Sequence, residues 1–96
     1  MSDEYTIILP KSSKALKEFK NLYRRRKEQT QKAIDKLKKH PTDIARHGIE
    51  KLKDNEVGSH SIRVSKGDRI IYDVNTKKKE VLLIRAGKHD LYRLLK

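Results

Sequence analysis

The sequence predicts a single α+β domain over residues 1–96, with an N-terminal strand, a helical hairpin, an antiparallel β-meander and a short C-terminal helix. Three observations predict it. A chain of 96 residues fits one core and leaves no room for a second. Apolar residues recur at three- and four-residue spacings through the first half and at two-residue spacings through the second. Helical patterns that precede the strands, rather than alternate with them, pack together on a mostly antiparallel sheet.

The elements follow in order. Tyr5 to Leu9 reads as a short β-branched strand stopped by Pro10. Ser12 or Ser13 offers an N-cap, and Leu16, Phe19 and Tyr23 then share one helical face. Ala33, Ile34 and Leu37 mark a second helix that ends at His40-Pro41. A turn at Arg24-Arg25-Arg26-Lys27 folds the two apolar stripes together.

An irregular stretch runs through Gly48, after which Ser59 to Ser65 alternates as a strand. Lys66-Gly67-Asp68 turns the chain into Arg69 to Val74, and Asn75 to Lys79 turns it again into Val81 to Ala86. Gly87 breaks that last strand, and Asp90 to Lys96 carries Leu91, Leu94 and Leu95 as a terminal helix. No internal repeat or low-complexity segment interrupts this order.

Charge dominates the composition. Lys and Arg number 25 against 13 Asp and Glu, a formal net charge of +12, and only 34% of residues are apolar. Such a surface attracts polyanions, because each phosphate contact releases counterions from nucleic acid. A membrane surface or an acidic protein would draw on the same charge. No cysteine is present, which excludes disulfides and thiolate metal sites and fits a reducing cytoplasm. The start Met1-Ser2-Asp3-Glu4 is acidic and no long apolar run follows, so neither a signal peptide nor a membrane span is expected.

Parity along the strands nominates a site. Ile62 and Val64, Ile70, Tyr72 and Val74, and Leu82 and Ile84 form the apolar sets expected to face the helices. The opposite parity carries Arg63, Arg69 and Arg85, whose planar forks suit a phosphate if they converge; otherwise they form a solvated face that discourages aggregation. His89 follows a strand end and a glycine, where an imidazole can exchange protons at neutral pH, or simply sit on the surface. Tyr92 could stack a base or help proton transfer, or pack as a core aromatic, and His60 is a lesser candidate at a strand start. RNA brings its own nucleophile, the 2′-hydroxyl, so a base, an acid and cations suffice. No cofactor is implied: His40 and His47 show no paired carboxylate at ligand spacing, and no nucleotide loop or Gly-x-Ser-x-Gly element is present.

The run Glu50-Lys51-Leu52-Lys53-Asp54-Asn55, Gly58, Ser61-Ile62-Arg63-Val64 and Asp68-Arg69-Ile70-Ile71-Tyr72 resembles the signature of the RelE/ParE toxin superfamily, in its ribonuclease branch. The element order resembles that family from Tyr5 onward, which implies the RelE-like microbial ribonuclease fold. The resemblance implies that Arg69 contacts the scissile phosphate and that Glu50 stands where YoeB-like members place a general base. It places Lys51 and Lys53 near positions where RelE uses lysines. The ending Arg85-Ala86-Gly87-Lys88-His89 resembles the family's tail, implying RNA contacts for Arg85 and Lys88 and catalytic parts for His89 and Tyr92; Arg63 joins the RNA-binding set by strand parity. His89 and Tyr92 stand three positions apart, whereas YoeB ends in an adjacent His-Tyr pair, and the division of acid and base roles stays open.

The resemblance implies the toxin of a type II toxin–antitoxin system, in the cytoplasm, with a cognate antitoxin in an oligomeric complex. Its target would be mRNA on the ribosome, with rRNA contacts, cut without a metal. Two alternatives stand beside it: a ParE-like gyrase inhibitor without nuclease activity, and a non-catalytic basic RNA-binding module.

Overall fold

The computed structural model describes residues 4–44, 47–52 and 59–88. Its hairpin is set by local chemistry. Ser12 caps α1 (Ser13–Arg25), its Oγ accepting the Ala15 N–H at 3.0 Å. Arg26 leaves helical geometry at φ −132° and ψ 54°, and α2 (Lys27–Lys39) follows at once. Basic residues in the last turn of each helix, Arg24 and Arg25 or Lys36, Lys38 and Lys39, complement the helix dipole.

The buried stripe of α1 is Ala15, Phe19 and Leu22 rather than the expected Leu16, Phe19 and Tyr23. Leu16 is half-buried and Tyr23 packs at the core's margin, its hydroxyl donating to Gln31 of α2 at 2.9 Å. Helical spacing alone left two adjacent faces eligible, and contact with the sheet chose between them. In α2 the expected Ala33, Ile34 and Leu37 are buried, joined by Thr30.

Five strands form one mixed sheet in the order β1-β5-β4-β3-β2, where β1 is Thr6–Ile8, β2 Ile49–Lys51, β3 His60–Arg63, β4 Asp68–Asn75 and β5 Glu80–Lys88. The meander β3-β4-β5 is antiparallel as expected. Strand β1 joins it in parallel beside β5, and β2 extends the other edge, just past the expected irregular stretch, where the sequence nominated no element. Ile49-Glu50-Lys51 carries too little periodicity to be read alone, without the β-branched run and proline stop that mark β1; β2 exists because Ile49 pairs with Ile62 and enters the core. Strand β3 is also shorter than the expected Ser59 to Ser65.

The core face holds Ile49, Ile62, Ile70, Tyr72, Val81, Leu83 and Ala86 against Phe19, Leu22, Ala33, Ile34 and Leu37. On β3 and β4 the expected parity holds. On β5 it does not: Val81, Leu83 and Ala86 are buried in the core, whereas Leu82 and Ile84 are only partly buried. A register shift explains the change, since Tyr72 pairs with Leu83 but Ile71 pairs with Arg85, leaving one extra residue on β5. Such a bulge inverts the side-chain alternation beyond it. Gly87 does not end the strand; it sits inside β5 at φ 147°, a conformation glycine tolerates, opposite Arg69. The expected terminal helix at residues 90–96 lies outside the described residues.

Candidate nucleic-acid interface

Alternation on the central strands carries Glu50, Ser61, Arg63, Arg69 and Ile71 to the sheet face turned away from the helices. Arg63 and Arg69 stand directly opposite one another on β3 and β4. Like charges so placed repel, and the arrangement needs an anion to offset them. Glu50 supplies one. Arg69 Nη1 donates to Glu50 Oε2 at 2.7 Å, with the arginine side chain 12% exposed and the glutamate 54% exposed. The guanidinium is thus held largely out of water while its carboxylate partner faces solvent.

The turn before β2 locks this arrangement. Gly48 has φ 75°, its carbonyl accepts the Arg63 N–H at 3.0 Å, and a Cβ there would meet Arg63 Cβ at 3.1 Å. Gly87, paired with Arg69, adds no side chain on the other flank. Two guanidiniums and a carboxylate therefore share one face, chemistry suited to gripping a phosphate and moving a proton beside it.

Other candidates are placed differently. Arg85 is bound by α1, its Nε and Nη2 donating to the two carboxylate oxygens of Glu18 at 2.7 and 2.6 Å. Both side chains are about four-fifths buried, and the hydrogen bonds to Glu18 raise the Arg85 pKa further above its ordinary value. Lys51 pairs with His60 and Lys88 with Asp68, both on the parity opposite to Glu50 and Arg69. Lys53, His89 and Tyr92 lie outside the described residues.

His60 is buried against Tyr72, their rings stacked at 5.6 Å between centroids, and its Nδ1 is 2.8 Å from Ser59 Oγ. Burial and the nearby Lys51 charge lower its pKa, against a weaker opposing pull from Asp73. Burial likewise raises the Tyr72 pKa, and the Tyr72 hydroxyl donates to the buried Pro41 carbonyl at 2.7 Å.

At the β3–β4 turn, burial works to raise the Asp68 carboxyl. The Ser65 hydroxyl and the guanidiniums of Arg25 and Arg26 outweigh it and hold the pKa below its ordinary value. This cluster fastens the helix junction to the sheet.

One grouping corrects the sequence reading. His40 and His47 do have a carboxylate between them: Asp43 lies with both, and one ligand atom from each of the three falls within 4.8 Å of the others. The His-x2-Asp-x3-His spacing was visible in the sequence. No helix or strand pattern runs through these residues, so their spacing alone did not imply proximity.

No family model matches this sequence, and no curated protein matches it significantly. Solved structures do share its fold. The free toxin RelE of E. coli, solved as a double arginine-to-alanine mutant, is 26% identical with a TM-score of 0.67, over 95% of this chain and 90% of that one. The archaeal RelE of the RelE–RelB complex from Pyrococcus horikoshii is 19% identical with a TM-score of 0.66, over 88% and 94% of the two chains. The YoeB/ParE toxin from Agrobacterium tumefaciens is 19% identical with a TM-score of 0.68, over 88% and 98%.

Proposed function

The chain belongs by its fold to the RelE/YoeB toxin superfamily, and from that premise we propose that it is the toxin of a type II toxin–antitoxin pair and cleaves mRNA on the ribosome. One observation carries the nuclease reading: the largely buried Arg69 stands opposite Arg63 and bonds to the solvent-facing Glu50.

In the proposed reaction Glu50, which shares the sheet face of Arg69, or Lys53, takes the proton from the 2′-hydroxyl, and Lys51, on the opposite parity, does not. The freed 2′-oxygen attacks the adjacent phosphorus. The 5′-oxygen of the next nucleotide departs with a proton from His89, leaving a 2′,3′-cyclic phosphate and a 5′-hydroxyl. Arg69 donates to the phosphorane oxygens as their negative charge grows. His89 follows Gly87, the residue paired with Arg69, by two positions in the sequence. Tyr92 stacks a base or assists proton transfer, while Arg63, on the face of Arg69, guides the RNA backbone. The guanidinium cluster supplies the charge stabilisation, so the chemistry is written without a metal. Arg85, clasped by Glu18, fastens β5 to α1 instead of contacting RNA.

A cognate antitoxin partner is supported by neighbours solved with theirs, the P. horikoshii RelE with RelB among them. A groove of about 550 Å³ between α1 and the end of β1 is lined by Leu9, Leu16, Phe19 and Tyr23 and edged by Lys20 and Arg24. Leu9 is half-exposed there. Apolar floor and basic rim fit an acidic amphipathic segment of that antitoxin.

The test is inducible expression of the wild type, Arg69→Ala and His89→Ala, with mRNA ends mapped by primer extension. Growth arrest with codon-positioned cuts that both substitutions abolish is expected. Arrest with intact mRNA and accumulated DNA breaks would show a gyrase poison instead, and no arrest with RNA binding retained would show a plain binding module.

A further inference from the structure

We propose that His40, Asp43 and His47 form a binding site for a divalent transition metal of the zinc type, which staples the end of α2 to the start of β2. The site stands apart from the proposed cleavage chemistry and does not depend on it.

The donor set is right for such an ion. Two imidazole nitrogens and one carboxylate oxygen are borderline ligands of the kind zinc takes, with water in a fourth position. Ligand atoms of a tetrahedral zinc site at about 2.0–2.1 Å from the metal lie roughly 3.3 Å from each other. Here one donor atom from each residue lies within 4.8 Å of the other two, and His47 Nε2 is already 3.8 Å from Asp43 Oδ2. The His40 and His47 rings are stacked at 4.9 Å with an interplanar angle of 11°. A bound ion would draw these donors closer together than they stand here.

The backbone brings the three together from separate positions. His40 ends α2 at φ −137° and ψ 53°, because the following Pro41 disfavours helix at its predecessor. Pro41 is buried and its carbonyl is held by Tyr72, so this corner is anchored to the centre of the sheet. The Asp43 N–H returns to the His40 carbonyl at 3.3 Å, which folds the carboxylate back over the helix end. His47 adopts φ 58°, a left-handed conformation that an L-residue occupies at some cost, and it delivers its imidazole to Asp43. A structural ion pair would ask for only one histidine; the second, stacked beside it with its own donor in range, is what a metal uses. His40 and Asp43 also line a depression of about 400 Å³ with Tyr5, Lys39 and Lys79, so this side of the group is open to solvent.

The experiment uses the full chain, stripped of metal by chelation, and ZnCl2 as the probe. Calorimetry is expected to give one zinc per chain, and His40→Gln, Asp43→Asn and His47→Gln each weaken it by more than about tenfold, the scale that loss of even an outer partner costs. Glu28→Gln, an exposed carboxylate on α2, leaves affinity unchanged. Thermal unfolding of the wild type shifts upward with zinc and that of His47→Gln does not, which reports the staple. Cobalt(II) substitution reads the site without any variant, by visible bands of low-symmetry coordination. Absence of stoichiometric zinc binding at micromolar concentration, or binding indifferent to all three substitutions, overturns the proposal. Either result leaves the nuclease reading untouched, since no cleavage is measured.

Discussion

Glu50 and Arg69 neutralise one another from opposite sides of β3, joined at 2.7 Å from β2 to β4. The pair holds the arginine in place before any substrate arrives, but a phosphate must compete with the carboxylate for the same guanidinium. If Glu50 is also the base, its substitution divides binding from rate. Glu50→Gln is expected to leave RNA affinity equal or tighter while the single-turnover cleavage rate falls. Arg69→Ala loses both, with the rate down roughly 10²–10³-fold, the scale of one lost oxyanion donor. Single-turnover kinetics over a range of RNA concentrations checks the split, and equal loss of affinity in both variants counts against it.

Arg85 and Glu18 belong to stability. Their side chains are 18% and 20% exposed, and removing either leaves the other charge mostly buried and unpaired. Arg85→Gln and Glu18→Gln are each expected to lower unfolding free energy, and the double substitution to recover part of it. A coupling of about 1–3 kcal/mol in a urea double-mutant cycle is expected, above the range for surface pairs. Cleavage at a temperature where Arg85→Gln stays folded changes little.

The His60 pKa is depressed in the folded state, so the unfolded chain binds the proton first as pH falls. The stability this neutral histidine contributes is complete above the ordinary value of 6.5 and drains away as pH drops below it. Urea midpoints measured from pH 8 to pH 5 should therefore decline through that window, and His60→Gln should flatten the decline. The groups facing the ring are Lys51, Asp73, Ser59 and Tyr72.

Asp68 gives a second, lower window. Its folded pKa lies below the ordinary 3.8, so its contribution is present above that value and lost as pH falls through the folded one. Asp68→Asn is expected to lower stability at neutral pH and to reduce the acid dependence below pH 4, both read from unfolding curves.

Tyr72→Phe removes a buried hydroxyl and strands the Pro41 carbonyl. A loss of about 1–2 kcal/mol is expected, or a fall of about 4–16 °C in Tm for a domain of this size. The same substitution loosens the corner that carries His40, so zinc affinity should fall with it.

Much of the fold was legible because local chemistry dictated it. Ser12 as a cap, the break near Arg26, the stop at His40-Pro41 and the parity of Ile62, Ile70 and Tyr72 are all local or strictly periodic signals. The β5 face was misread because Val81-Leu82-Leu83-Ile84 is apolar on both parities, and a bulge at Ile84, opposite Ile71/Tyr72, shifts the buried set from Val81 and Leu83 to Ala86. For the site, the sequence nominated Glu50, Arg63 and Arg69, and the strand register brings them to one face.

By itself, then, the sequence determined the helical hairpin followed by the antiparallel meander, the basic composition and the candidates for phosphate chemistry, because those follow from composition, caps and periodicity within a few positions. The tertiary structure alone decided which arginine meets which carboxylate. Glu18 lies 67 residues from Arg85 and Glu50 lies 19 from Arg69, and no local rule reaches that far. It alone also brought Asp43 into reach of both His40 and His47, since a loop's path depends on what anchors its ends, here Tyr72 holding Pro41.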